Sequence, residues 1–264
     1  MVSIRRAAGP RPPLALVFPP LWYYASVPGD LLATGSHLAQ TGTRFFRFRD
    51  DLVTPERLRE LARLLPALSF RPRFTACARF EAGFDGATLR AAAAAGLEEP
   101  WLGLESASPR VRNLMVKGVA QRVVERILAD AADAGIRVRA LCMAGYPGET
   151  ADEIREPFAF LERHVFRVAT VSLTPFQLMR MTPLARDPAA HGLTLVPDPV
   201  PRAERLRFAV EATGAGVLGP AERRALADEA ARTLGGWFAA DFAGPTLPHA
   251  WMRASLARQP WDSA

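Results

Sequence analysis

Lysine is almost missing from this chain. Lys117 is the sole lysine among 264 residues, and arginine supplies every other fixed side-chain cation. Polybasic lysine tails are therefore excluded, and the net charge of +6 rests on arginines scattered at helix-surface spacing. Scattered charge argues against a nucleic-acid interface, which concentrates its cations on one face. Cysteine is scarce as well. Cys77 and Cys142 form no C-x-x-C pair, which excludes a disulfide framework. Both lie in apolar, strand-like runs where a buried, inert thiol is the default. Long apolar runs are absent too: none approaches the roughly 20 residues of a membrane helix. The basic start MVSIRRAAGPRPP is followed only by LALVF, too short for a signal peptide, so the expectation is a cytoplasmic protein. The glycine fingerprint of dinucleotide-binding sheets is missing from the first strand–helix turn.

What is present is ordinary for a soluble globular chain, 49% hydrophobic and 23% charged. Apolar runs alternate with amphipathic segments. Pro13–Phe18, Arg44–Phe48, Phe74–Arg79, Pro100–Leu104, Ile136–Met143 and Val168–Leu173 read as strands. Between them lie helices at about Asp30–Gln40, from Thr54-Pro55, at about Asp85–Ala95, from Ser108-Pro109, at Val119–Ala134 and from Thr150. Thr54-Pro55 is a hydroxyl cap followed by proline in the first turn. Thr150 with Glu153 spells a capping box. Residues 22–25 fall in the loop LWYYASVPG. The proline-rich VPDPVPR (Val196–Arg202) is a linker, and helices are expected at about Arg202–Glu211, Ala221–Leu234 and Pro248–Gln259. The order βαβα predicts parallel strands with right-handed crossovers. The fold class is α/β, a partial (β/α)6 TIM-like barrel with C-terminal helices. Its divisions fall at 1–42, 43–195 and 196–264.

In such folds, reactive groups collect at the C-terminal ends of strands. Those ends carry Asp50 and Asp51; Arg79 and Glu81; Glu105 and Ser106; Gly145, Tyr146, Pro147 and Gly148; and Thr174 with Gln177. Carboxylates there suit a ligand amine or ribose hydroxyls, and Arg79 suits a carboxylate. A proline-glycine turn brings backbone close to a flat ring edge.

Spaced in this way, GLESASPRVRNLMVKG and GYPGET resemble the second half of the radical S-adenosylmethionine (SAM) enzyme barrel. The resemblance is nearest the subfamily that also binds cobalamin. FRFRDDLVTPERL, TACARFEAG and SLTPFQLMRMTPL resemble its second, third and sixth strand regions, and PPLALVFPPLWYYASVPGDLLATGSHLAQTG resembles the start of its cobalamin-binding domain. The resemblance covers roughly Pro13–Gly192. It implies that Glu105 and Ser106 reach the methionine or ribose part of SAM, that Asp50 and Asp51 lie near its amino group, that Arg79 faces its carboxylate, and that Gly145–Gly148 lines its adenine. It also implies a [4Fe–4S] cluster and cobalamin as cofactors, and a peptide or natural product as substrate.

The chain departs from that pattern. The C-x-x-x-C-x-x-C motif, whose thiolates hold the cluster, is absent, as is the D-x-H-x-x-G motif of the cobalamin domain, and His37 reads as a helix-surface histidine. The opening βα unit, 1–42, resembles a remnant of the cobalamin domain, and Pro13–Phe18 is expected to take the slot of the missing first barrel strand beside Arg44–Phe48. Three readings stand. The chain is a degenerate member without its own cluster, binding SAM or a peptide or assisting a complete radical SAM enzyme. It is a truncated form of an active cobalamin-dependent enzyme. Or it is a non-catalytic module that binds a peptide or nucleic acid through Trp22–Tyr24 and its arginines.

Overall fold

A computed structural model of the chain describes residues 14–17, 22–25, 45–48, 52–164, 166–180, 182–196, 209–210, 212–234 and 238–240. Asp50, Asp51, His37 and the expected helices at 30–40 and 248–259 lie outside them, as do residues 202–208 and 211 of the helix expected at 202–211. The chain forms two compact units: residues 1–104, 119–140 and 166–169, and residues 105–118, 141–165 and 170–264.

The first unit begins with strands β1 (Leu14–Val17), β2 (Trp22–Ala25) and β3 (Phe45–Phe48). β1 and β2 form an antiparallel hairpin in register Leu14↔Ala25 to Val17↔Trp22. Trp22, Tyr23 and Tyr24 are therefore strand residues where a loop was expected: three consecutive aromatics carry high β-propensity, and a partner strand is in reach. β1 does pair with β3, but antiparallel, Leu16↔Phe48. A barrel's first strand runs parallel to its second, so Pro13–Phe18 does not fill that slot as expected. β3 pairs in parallel with β4 (Arg73–Thr75).

The expected strand Phe74–Arg79 is broken at Ala76 into β4 and β5 (Cys77–Arg79). The break has a consequence for topology. β4 belongs to the sheet β2-β1-β3-β4, and β5 opens the other sheet. β5 pairs in parallel with β6 (Trp101–Glu105), Cys77↔Trp101. Helices α1 (Pro55–Leu64), α2 (Gly86–Ala94) and α4 (Gln121–Asp133) cover this unit. Leu58, Leu89, Ile127 and Ala131 on their inner faces pack with Ala76, Ala78 and Leu102. Thr54 caps α1 and Asp85 caps α2, each accepting a backbone N–H three residues on.

Trp101 carries the polar layer of this unit. The Arg47 guanidinium lies 3.9 Å from its ring centre and the Arg139 guanidinium 5.0 Å. Arg139 also donates to Glu99 at 2.9 Å, and both are almost wholly buried.

The larger sheet has the order β13-β8-β7-β6-β5, with β7 at Val138–Ala144, β8 at Val168–Pro175 and β13 at Phe238–Ala240. In the second unit, α3 (Pro109–Leu114) follows β6, and α5 (Ala151–Arg163) follows β7. The region after β8, expected to be irregular up to Gly192, is partly ordered. β9 (Leu178–Met179) pairs with β11 (Ala209–Val210), and β10 (Leu193–Leu195) with β12 (Ala212–Gly214), both antiparallel. Ala209 and Val210 are therefore extended where a helix was expected; the partner strand outweighs the helical propensity of the surrounding residues. Around these short strands Phe176, Leu178 and Leu193 form a buried cluster. Helix α6 (Pro220–Leu234) matches the expected C-terminal helix. The edge of β8 is covered by β13, in parallel register Phe238↔Val171, rather than by a helix.

Candidate functional site

The site is built where β6 and β7 end. Each strand stops because the backbone turns left-handed: Glu105 at φ 62° and Gly145 at φ 83°. Glycine takes that conformation freely. Glutamate does so at a cost, and such strain concentrates at functional sites. Lys117 Nζ donates to Glu105 Oε1 at 2.8 Å, and both side chains are partly exposed. The sole lysine is thus the counter-ion of the strained carboxylate. Val116, just before Lys117, is the other non-glycine residue with left-handed φ among the described residues, at 55°.

Ser106 is fully buried. Its hydroxyl accepts from Ser108 N at 3.2 Å and donates to Glu149 Oε1 at 3.5 Å. Ser108 caps α3 by accepting from Val111 N, and donates to Glu153 Oε1 at 2.9 Å. Arg112, also buried, donates through Nη1 to the carbonyls of Ser106 and Ala107 at 2.8 and 2.9 Å, which pins the loop from beneath. Burial lowers the Arg112 pKa from its ordinary value.

The Gly145–Gly148 turn is held from the protein side by Glu149, which is 4% exposed. Glu149 Oε2 accepts from Gly145 N at 2.7 Å and Tyr146 N at 3.1 Å, and Glu149 N donates to Tyr146 O at 2.9 Å. Gly148 N donates to Ala215 O at 2.7 Å, and Pro147 has no N–H to give. Every N–H from Gly145 to Glu149 is therefore spent inside the protein. Gly145 and Pro147 are themselves buried, so what the turn presents outward is Gly148 and the half-buried Tyr146 ring. That ring meets Phe176 edge-to-face at 5.5 Å, and its hydroxyl reaches Leu114 O at 3.4 Å.

Burial raises the Glu149 pKa above the usual carboxylate range, against its backbone hydrogen bonds, which lower it. The Cys142 thiol is pushed up by complete burial and then by the charges of Glu105 and Glu149. Glu153 is the opposite case. Hydrogen bonds from Arg110 first hold its carboxyl down at about 2. Arg110 also donates to Gly148 O at 2.8 Å, so one guanidinium ties α5 to the turn.

Of the residues singled out in the sequence, Glu105, Ser106, Gly145, Tyr146, Pro147 and Gly148 come together in the second unit. Arg79 ends β5 in the first unit and is exposed. Thr174 donates to Cys142 O at 3.3 Å, and Gln177 is exposed. The sequence reading passed over Glu149, Arg112 and Lys117 as individual groups. The signal available for Lys117 was its uniqueness. For Glu149 it was an acidic residue closing a glycine turn just before a capping threonine.

The chain is a mixed α/β fold with a parallel sheet and helices between its strands, similar to the fold of solved radical SAM enzymes. It is similar to the radical SAM methyltransferase TsrM from Kitasatospora setae, solved with cobalamin and a [4Fe–4S] cluster bound. The TM-score is 0.61 at 16% identity, over 85% of this chain and 51% of that one. Against TsrM with tryptophan substrate and the SAM analogue aza-SAM, the TM-score is 0.52 at 19% identity, over 67% and 37% of the chains. The chain thus spans about half the length of the TsrM chain it matches. No family model and no curated protein matches it.

The residues present do not fit a [4Fe–4S] cluster. Three thiolates are needed to leave one iron open, and the sequence has two cysteines. One of them, Cys142, is fully buried with its thiol held protonated. Among the described residues no three histidine, cysteine or acidic side chains converge as metal ligands, and no helix is long and apolar enough to cross a membrane. The Glu105–Lys117 pair offers both charges that a zwitterionic amino-acid group needs, beside a turn whose Tyr146 ring is half-buried.

Proposed function

We propose that the second unit binds SAM and that these 264 residues bind it without a cluster of their own, as an accessory or SAM- and peptide-binding protein. The observation that carries this is the coupling of the strained Glu105–Lys117 pair to the Glu149-anchored turn through Ser106. Strain of this kind persists only where surrounding bonds over-determine it. Glu105 would take the ligand's ammonium or ribose hydroxyls, and Lys117, once released, its carboxylate. The Gly145–Gly148 turn would line the adenine, chiefly through the half-buried Tyr146 ring. Ser106 and Glu149 act as scaffold, because both are buried and already bonded. Asp50 and Asp51 lie outside the described residues and Arg79 in the first unit, and none of the three is part of the proposed site.

Titration calorimetry with SAM tests the binding. Anaerobic iron and sulfide reconstitution of the same sample tests the rest. The expected outcome is saturable SAM binding, iron well below one cluster per chain, and no 5′-deoxyadenosine on reduction. A stoichiometric cluster would overturn the proposal.

One observation favours a second reading. The chain spans half of TsrM, which is what a piece of a longer, active cobalamin-dependent enzyme would show. Mass spectrometry of the protein from its native source decides this. A mass clearly above 28.8 kDa, with peptides carrying a three-cysteine motif, would establish it.

A further inference from the structure

The chain contains a G-x-G-x-x-G sequence, Gly214-Ala215-Gly216-Val217-Leu218-Gly219, running from the end of β12 to the start of α6. That spacing, between a strand and a helix, is the pattern of a pyrophosphate-binding loop. In such a loop the glycines make room for the ligand. Here they make room for the protein. A Cβ on Gly216 would stand 2.5 Å from Glu149 O, 2.7 Å from Glu149 N and 2.8 Å from Tyr146 O. A Cβ on Gly214 would stand 2.5 Å from Gly192 O. Gly219 N, which a phosphate would need at the helix start, donates to the Glu222 carboxylate at 2.6 Å.

We infer that Gly216 is the positioning residue of the Gly145–Gly148 turn, a role that builds on the SAM-site reading above. Its close approach sets the place of the backbone around Glu149, and the Glu149 carboxylate in turn holds Gly145 N and Tyr146 N. The contact is double-sided. Gly148 N donates to Ala215 O at 2.7 Å, and a Cβ on Gly145 would stand 2.8 Å from Leu218 Cγ. Val217, one residue on, packs against the Phe176–Leu178–Leu193 cluster and ties the same turn to the β9–β11 and β10–β12 strand pairs. Two glycine turns, far apart in sequence, thus interlock, and the C-terminal one fixes the geometry of the ligand-facing one.

Gly135 provides the control. It has φ 72°, against 82° for Gly216, but nothing lies within 4 Å of its Cβ position. Gly135→Ala and Gly216→Ala incur a similar left-handed backbone penalty, and only Gly216→Ala collides with the turn. Hydrogen exchange on the ligand-free proteins is the first readout. Gly216→Ala is expected to speed exchange at Gly145, Tyr146, Gly148 and Glu149 by about tenfold or more, the equivalent of ~1.4 kcal/mol, while Gly135→Ala leaves those amides at the wild-type rate. SAM titration is the second readout, with affinity expected to fall by about tenfold in Gly216→Ala alone. Unchanged exchange in Gly216→Ala, or equal loss in both variants, overturns the inference. Wild-type protein that binds no SAM but shows the exchange pattern retains the positioning contact and sinks the ligand reading instead. Binding of NAD that Gly216→Ala abolishes would make the turn a pyrophosphate loop and overturn the inference outright.

Discussion

Val116 is 84% exposed, β-branched and left-handed. Its side chain loses nothing by removal, while its backbone is strained by roughly 1–2 kcal/mol. Val116→Gly is therefore expected to stabilise the protein by about 1 kcal/mol, less the extra chain entropy of glycine. Urea denaturation with an unchanged m-value would show it. Glu105 has the same backbone problem but a different side chain. Relieving it with Glu105→Gly removes the partner of Lys117, so stability is held or raised while SAM binding is lost. That opposition is the signature of a residue kept for its chemistry. Neither strain is written in the sequence in any simple way. GLES reads as the end of a strand, and only the fold shows that its glutamate carries the turn. The buried Arg139–Glu99 pair beside Trp101 was equally hidden, because a charged residue inside an apolar run looks like a strand boundary.

Elements were more legible than their partners. The caps expected at Thr54 and Thr150 are local, depend on residues three apart, and stand in the structure as the spacing predicts, and Asp85 and Ser108 cap the helices expected to start there. Pairing is non-local, and there the sequence was weaker. Nothing in Phe74–Arg79 announces that it changes sheets at Ala76, nor that Trp22–Ala25 folds back on β1. The capping box of α5 gives a direct test. Thr150→Ala removes the acceptor for Glu153 N and is expected to cost about 1 kcal/mol. Its pH dependence follows from Glu153. A carboxyl held near 2 in the folded state, below its ordinary value of 4.5, contributes stability in full above that ordinary value and loses it as pH falls toward 2. Glu153→Gln should therefore flatten the acid limb of the stability curve, which thermal melts between pH 2 and 5 would record.

For the whole molecule, the buried carboxylate of Glu149 pulls the other way. Its pKa is raised by burial, so the folded state tolerates its charge less well than the unfolded chain does. Its contribution to stability is highest below the ordinary carboxylate range and falls as pH rises through its raised folded value. In Glu149→Gln this loss on raising pH should disappear, at a cost of about 1–3 kcal/mol for Gly145 N and Tyr146 N sharing a poorer acceptor. Equilibrium unfolding across that pH range checks it. Ligand linkage gives a further whole-chain prediction. SAM at about a hundredfold excess over its dissociation constant should add ~2.7 kcal/mol to unfolding, and wild-type protein whose melting point does not move with SAM counts against the proposed site. Fold class and the main strand ends were readable because hydrophobic period and turn residues are local signals. Which side chains couple the ends was not, because Glu149, Arg112 and Lys117 act through bonds that close only after folding.

Glu153 deserves a final consequence. One carboxylate accepts from Ser108 Oγ and Arg110 on one motif, and from Thr150 N and Oγ1 on the other. Arg110 meanwhile reaches back to the carbonyl of Gly148. SPR and GET are therefore not two independent words that happen to occur in one chain. They are halves of a single mutual constraint, and a substitution in either half is tolerated or rejected according to what the other half spells. In descendants of this sequence, positions 108, 110, 150 and 153 should be inherited as a block and drift together.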